Sequence, residues 1–239
     1  MPDPSPQASN ALGDPSQSLQ TFDLRDLQQY TREKAYSTNA SADFHLFYVG
    51  RDDVHDILKH VLSRVSVSLY LNMFGYDDDE LNDIIIAKAM DPQITVLIPL
   101  DLSQAGGVHE KKLLASDAAR DPSAFNTHIV SGAQMARFVI GQSATRQISH
   151  TKGFVADGRV GGEGSTNWST SGEGTFVVTG QPGGTGYKAQ NNTQSIFTDA
   201  DTISRFQAEL IAEHMAAQAF AVAPPSAGAT APRKPPGKR

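Results

Sequence analysis

The chain has 239 residues, 39% of them apolar and 19% charged, enough for one domain with a full hydrophobic core and typical of soluble globular proteins. It contains no cysteine, which excludes disulfides, thiolate metal sites and a cysteine nucleophile. The net charge of −6 is uneven: the last seven residues carry four basic groups and no acid, so the body is more acidic than the total.

An acidic body argues against tight nonspecific binding of nucleic acid, which runs on phosphate neutralisation. Residues 130–190 nevertheless hold five bases against three acids, which leaves room for a local basic cleft. The first 20 residues lack the basic and apolar regions of a secretory signal, and no apolar run reaches membrane-spanning length. The expectation is a soluble cytoplasmic protein. Composition predicts a disordered segment at 1–22, one folded domain at 23–221, and a disordered, basic, Pro-rich tail at 222–239.

Within the domain, strand and helix patterns alternate. His45–Val49 reads as a short strand. Val54, Ile57, Leu58, Val61, Leu62 and Val65 keep helical spacing on one face. Val67, Leu69, Leu71 and Met73 alternate as in a strand. Asp78, Asp79 and Glu80 suit a helix N-terminus ahead of Leu81, Ile84 and Ile85. Ile94–Leu100 reads as a buried central strand, followed by a polar stretch through Arg120 and a strand at His128–Val130. A long helix from about Asp201 to Phe220 closes the domain. This order implies an α/β fold, a central mixed sheet flanked by helices.

The informative stretch is Ile148 to Asn167. Ile148–Ala156 has strand character, Asp157-Gly158 is a hairpin signal, and Arg159–Asn167 would be the return strand. Residues two apart on a strand share a face, so His150 pairs with Lys152 and Ser165 with Asn167. One hairpin would then offer an imidazole, an ammonium, a hydroxyl and a carboxamide to one spot. That set suits a phosphate: a nucleophile, one positive charge and two neutral groups for the non-bridging oxygens.

The stretch resembles the signature of the phospholipase D superfamily, H-x-K-x4-D-x6-G-S-x-N, through His150, Lys152, Asp157, Gly164, Ser165 and Asn167. All six positions fit without a gap, and a chance match is on the order of a few in a million. The resemblance implies that 23–221 is the catalytic domain of a phosphodiesterase in which His150 attacks phosphorus and forms a phosphohistidine. Lys152, Ser165 and Asn167 would hold the phosphate, and Asp157 would act as a structural partner of the hairpin. No cofactor or metal is implied.

Two departures accompany the resemblance. The chain carries one copy of the motif, whereas many relatives carry two and use a second histidine as the acid. A homodimer with a shared active site is therefore implied. Downstream, where the family often has Asn-x-Glu to orient the histidine, this chain reads Gln190-Asn191-Asn192-Thr193-Gln194, so an amide at Asn192 or Gln194 would replace the acid. The resemblance favours a nuclease cleaving DNA or RNA, with a phospholipase D or phosphatidyl transferase as the alternative. A silent phosphate-binding protein is disfavoured by the intact motif.

Other candidates carry bland readings. Trp168 suits packing behind the hairpin, and the glycine-rich span 172–186 suits a lip over the site or a plain loop. His55 and His60 do not share a helix face, and a helix start accounts for Asp77–Glu80 without a metal.

Overall fold

The computed structural model describes residues 18–74, 78–91, 93–101, 138–141, 150–180 and 188–219. Seven strands among them form one sheet: β1 (Phe44–Tyr48), β2 (Ser68–Met73), β3 (Thr95–Asp101), β4 (Phe138–Gly141), β5 (Lys152–Ala156), β6 (Val160–Gly164) and β7 (Thr193–Phe197). Their order is β1-β7-β6-β5-β2-β3-β4. β2, β3 and β4 are parallel, and every other pairing is antiparallel. The sheet is mixed, as the alternating pattern implies.

One face is covered by α1 (Val54–Leu62), α2 (Asp79–Met90) and two 3-10 turns, Leu19–Thr21 and Leu24–Tyr30. Asp53 caps α1 by accepting from Asp56 N at 3.1 Å, and the helix buries Val54, Ile57, Leu58, Val61 and Leu62. Asp78 caps α2 by accepting from Leu81 N at 2.7 Å. The other face carries α5 (Ala200–Ala219), whose Ile203 and Leu210 pack with Val155 and Phe197. Between β6 and β7 lie two short helices, α3 (Thr170–Glu173) and α4 (Thr175–Thr179).

Period-two patterning sorts β5 between these layers. Phe154 and Ala156 join the α1 side, and Val155 joins the α5 side. The glycines opposite them have a packing reason: a Cβ on Gly161 would meet the Phe197 ring at 2.2 Å, and one on Gly162 the Phe154 ring at 2.4 Å. The run V-G-G-E-G therefore makes space for two aromatic rings. β2 is buried on both faces, since Ser68 and Asn72 are covered as fully as the alternating apolar positions. The helical layers on the two sides of the sheet account for this.

The structure revises three boundaries. Residues 18–22, grouped by composition with the irregular N-terminus, pack on the body, with Leu19 only 1% exposed. Two apolar residues, Leu19 and Phe22, are too few to leave a periodic trace in a polar run. Second, His150 precedes β5 and is not part of it. Third, β6 stops at Gly164, short of the expected return strand through Asn167. There Ser165 N takes Thr193 O, and the chain turns away until Ser169 Oγ caps α3 at Gly172 N. The expected strand at His128–Val130 and the stretch through Arg120 lie outside the described residues, as do both tails up to residue 17 and beyond 219. Among the described residues no helix is long and apolar enough to cross a membrane.

Candidate active site

The end of the sheet assembles the site. Lys152 opens β5 opposite Met73, the last residue of β2, and Gly164 closes β6 opposite Gln194, near the start of β7. The residues just beyond these ends are Phe74, His150, Ser165, Asn167 and Asn192. They meet at the carboxyl end of the parallel strands β2 and β3, where open α/β sheets hold their ligands. Strand ends, not a shared strand face, place His150, Lys152, Ser165 and Asn167 at one end of the sheet.

Lys152 is buried, at 3% exposure, while His150 beside it is exposed. The ammonium donates to the His150 carbonyl at 2.8 Å. It stands 3.3 Å from Nδ1 and 3.2 Å from Nε2 of the same imidazole, level with both ring nitrogens. The Phe74 ring backs both groups, with its centroid 4.6 Å from that of His150 and 5.0 Å from Nζ. Burial pushes the Lys152 pKa down from its ordinary value. A positive charge fixed beside an exposed imidazole is suited to an incoming anion.

Ser165 and Asn192 form a second pair. Ser165 Oγ donates to Asn192 Oδ1 at 3.2 Å and accepts from Thr193 N at 3.0 Å. Asn192 Nδ2 in turn donates to Gly172 O and to Gln190 Oε1, both at 3.0 Å. The Asn192 amide thus fastens the motif serine to the turn that follows Asn167. Gln194 is fully buried, and its amide donates to the Ser195 carbonyl at 3.1 Å. The Asn192 side chain thus bonds motif Ser165, and among the described residues neither amide side chain bonds His150. Asn167 is half-buried, and its Oδ1 has no hydrogen-bond partner among the described residues. Trp168 is fully buried and meets Phe154 edge-on at 6.0 Å, so it packs behind the hairpin.

Asp157 lies at the opposite end of β5, five residues from Lys152 and roughly 16 Å away at strand rise. Its carboxylate accepts from Ser66 N, Ser66 Oγ, Val67 N and Ser68 N at 2.8 to 3.1 Å. It ties the β5–β6 turn to the start of β2. A phosphate at His150 is out of its reach.

Sequence reasoning missed a second cluster. His55 on α1 places Nδ1 against Glu173 Oε2 and 3.5 Å from Asp78 Oδ2, and Nε2 lies 2.9 Å from Glu80 Oε2. Burial works to lower the His55 pKa, but the Glu173, Glu80 and Asp78 carboxylates outweigh it and hold it up to about 9. Glu173 comes 118 residues after His55, from the glycine-rich span read as loop or lip. Nothing in the local sequence announces the pairing. A groove lined by Phe44, Glu163, Phe197, Arg205 and Phe206 opens on the α5 side and includes no motif residue.

The mixed sheet between two helical layers is the phospholipase D fold. Nuc from Salmonella typhimurium, a phospholipase D family member, superposes with a TM-score of 0.52 at 13% identity, covering 73% of this chain and 95% of its own. NucT from Helicobacter pylori follows with a TM-score of 0.49 at 13% identity, covering 75% and 98%. Phosphatidylserine synthase from Haemophilus influenzae gives 0.46 at 17%, covering 69% of this chain and 35% of that one. No protein-family model matches the chain, and no curated protein sequence matches it.

Proposed function

We propose that this protein is a metal-independent phosphodiesterase of the phospholipase D type, acting on DNA or RNA through a phosphohistidine on His150. The observation that carries the reading is the Lys152 ammonium held within 3.2 Å of the exposed His150 imidazole, inside an unbroken six-position motif. Lys152 and Asn167 draw the non-bridging oxygens, and Ser165 assists. A neutral His150 nitrogen attacks phosphorus, and the bond to the leaving oxygen breaks as that oxygen takes a proton from a second histidine. Water, deprotonated by that second histidine, then breaks the phosphorus–nitrogen bond and frees His150.

One motif supplies one histidine, so the second is His150 of a second copy across a two-fold axis. The single copy of the motif supports a nucleic-acid substrate over a lipid one. Incubation in excess EDTA with single- and double-stranded DNA, RNA, phosphatidylcholine and cardiolipin tests the reading. Cleavage of a nucleic acid alone is expected. Cleavage of lipid alone moves the substrate class, and activity that returns only with added Mg²⁺ contradicts the mechanism.

A further inference from the structure

We propose that His55, Asp78 and Glu173 form a site for one divalent transition-metal cation, separate from the phosphate site. Three elements supply the donors: α1 gives His55, the cap of α2 gives Asp78, and α3 gives Glu173. Their ligand atoms all lie within 4.8 Å of one another. Glu173 is fully buried, and the His55 and Asp78 side chains are only 12% and 11% exposed.

The orientation of the imidazole is the decisive feature. Nε2 faces Glu80 Oε2 at 2.9 Å, and Lys59 Nζ holds the other Glu80 oxygen at 2.7 Å. With the Nε2 hydrogen donated to Glu80, loss of the Nδ1 proton to an arriving metal would leave the Nδ1 lone pair for that ion, the arrangement of metal-bound histidines and their outer carboxylates. Nδ1 then points at Glu173 Oε2 and Asp78 Oδ2 together. In the metal-free protein a proton on Nδ1 answers these carboxylates, and a divalent ion that displaces it would take its place between them. A proton on Nδ1 serves one carboxylate at a time, whereas a divalent ion serves both and cancels both charges.

Asp78 is preset for this. Its Oδ1 is committed to Leu81 N at 2.7 Å, which leaves Oδ2 aimed at His55. One nitrogen and two carboxylate oxygens, with water in a fourth position, suit Zn²⁺, whose ligands at about 2.0–2.2 Å stand roughly 3.3 Å apart. The Nδ1–Oδ2 separation of 3.5 Å is already near that span, and Glu173 needs to move outward from Nδ1.

Such an ion would stiffen the support of the motif without touching the reacting phosphate. Asp78 N–H donates to the Trp168 carbonyl at 3.1 Å, next to Asn167. Glu173 follows Gly172, whose carbonyl accepts from Asn192. The cation would lock α1, α2 and α3 around the segment that presents Asn167. The site stands on side-chain geometry alone and holds whether or not the protein cleaves phosphodiesters.

The test uses the full chain, stripped with EDTA, desalted and titrated with Zn²⁺ by calorimetry and by equilibrium dialysis with metal analysis. One Zn²⁺ per chain is expected, with a melting temperature raised by several degrees, about what binding well above Kd produces. Glu173→Gln, His55→Gln and Asp78→Asn should each weaken binding at least tenfold. Circular dichroism checks folding, and Asp78→Asn keeps a capping oxygen if the other two fail to fold. No stoichiometric Zn²⁺, or binding unchanged in every folded variant, overturns the proposal.

Discussion

Lys152 donates to the main-chain carbonyl of His150 at 2.8 Å while its ammonium stands 3.2 Å from the Nε2 of that residue. The ammonium and the imidazole are thereby fixed to each other before any substrate arrives. Two residues of one short segment hold the geometry, with Phe74 behind them.

Removing that charge should be a catalytic lesion more than a structural one. Lys152→Ala is expected to lower kcat by about 10²–10³, the scale of losing one fixed donor to developing negative charge. Lys152→Arg keeps the charge but spreads it over a planar fork and should recover only part of the rate. Steady-state kinetics with melting curves on each variant check this. An unchanged kcat in a folded Lys152→Ala protein would remove the lysine from the chemistry.

Asp157 should behave in the opposite way. Its carboxylate answers four donors at the start of β2, and its backbone has φ of 52°, which alanine adopts poorly. Asp157→Ala is expected to cost about 2–4 kcal/mol of stability, read by urea denaturation, because those donors lose their partner. The rate per folded molecule should stay close to that of the parent.

His60 predicts the acid limb of stability. Burial and the nearby Arg64 guanidinium lower its pKa to about 4, and Tyr30 Oη sits 3.1 Å from its Nδ1. In the unfolded chain the imidazole takes its proton near pH 6.5. Between about pH 6.5 and about pH 4 the unfolded state therefore binds more protons, and stability falls as pH falls, by up to about 3 kcal/mol. The contribution is whole above that window and gone below it. His60→Gln should flatten this slope in urea melts taken across the window.

The single motif predicts how mixed assemblies behave. If the attacking and the proton-donating histidines come from two copies, a dimer of one parent chain and one His150→Ala chain lacks half of the pair. General acid catalysis alone is worth roughly 10²–10⁴-fold, so mixed dimers should be nearly inactive. Random assortment of equal amounts should leave about one quarter of the activity. A linear fall to one half would mean that each chain carries its own complete site.

The parts legible in the sequence were those written locally. The α1 pattern from Val54 to Leu62, the acidic cap of α2 and the spacing of His150, Lys152, Ser165 and Asn167 all lie within short windows. What escaped depends on chain segments that meet only in the fold. Asp157 finds its donors 89 to 91 residues away, Ser165 finds Asn192 27 residues on, and His55 finds Glu173 across 118. The expected return strand through Asn167 is longer than the observed one, which ends at Gly164. The strand ends there because Ser169 starts α3 and Asp78 claims the Trp168 carbonyl, neither of which composition reveals.

In the proposed mechanism His150 carries the phosphoryl group. Rapid mixing with a ³²P-labelled oligonucleotide, quenching at alkaline pH and peptide mapping test it most directly. Acid-labile, base-stable label is expected on the peptide containing His150 and is expected to be absent from His150→Ala. Label on Ser165, or full turnover by His150→Ala, would contradict it.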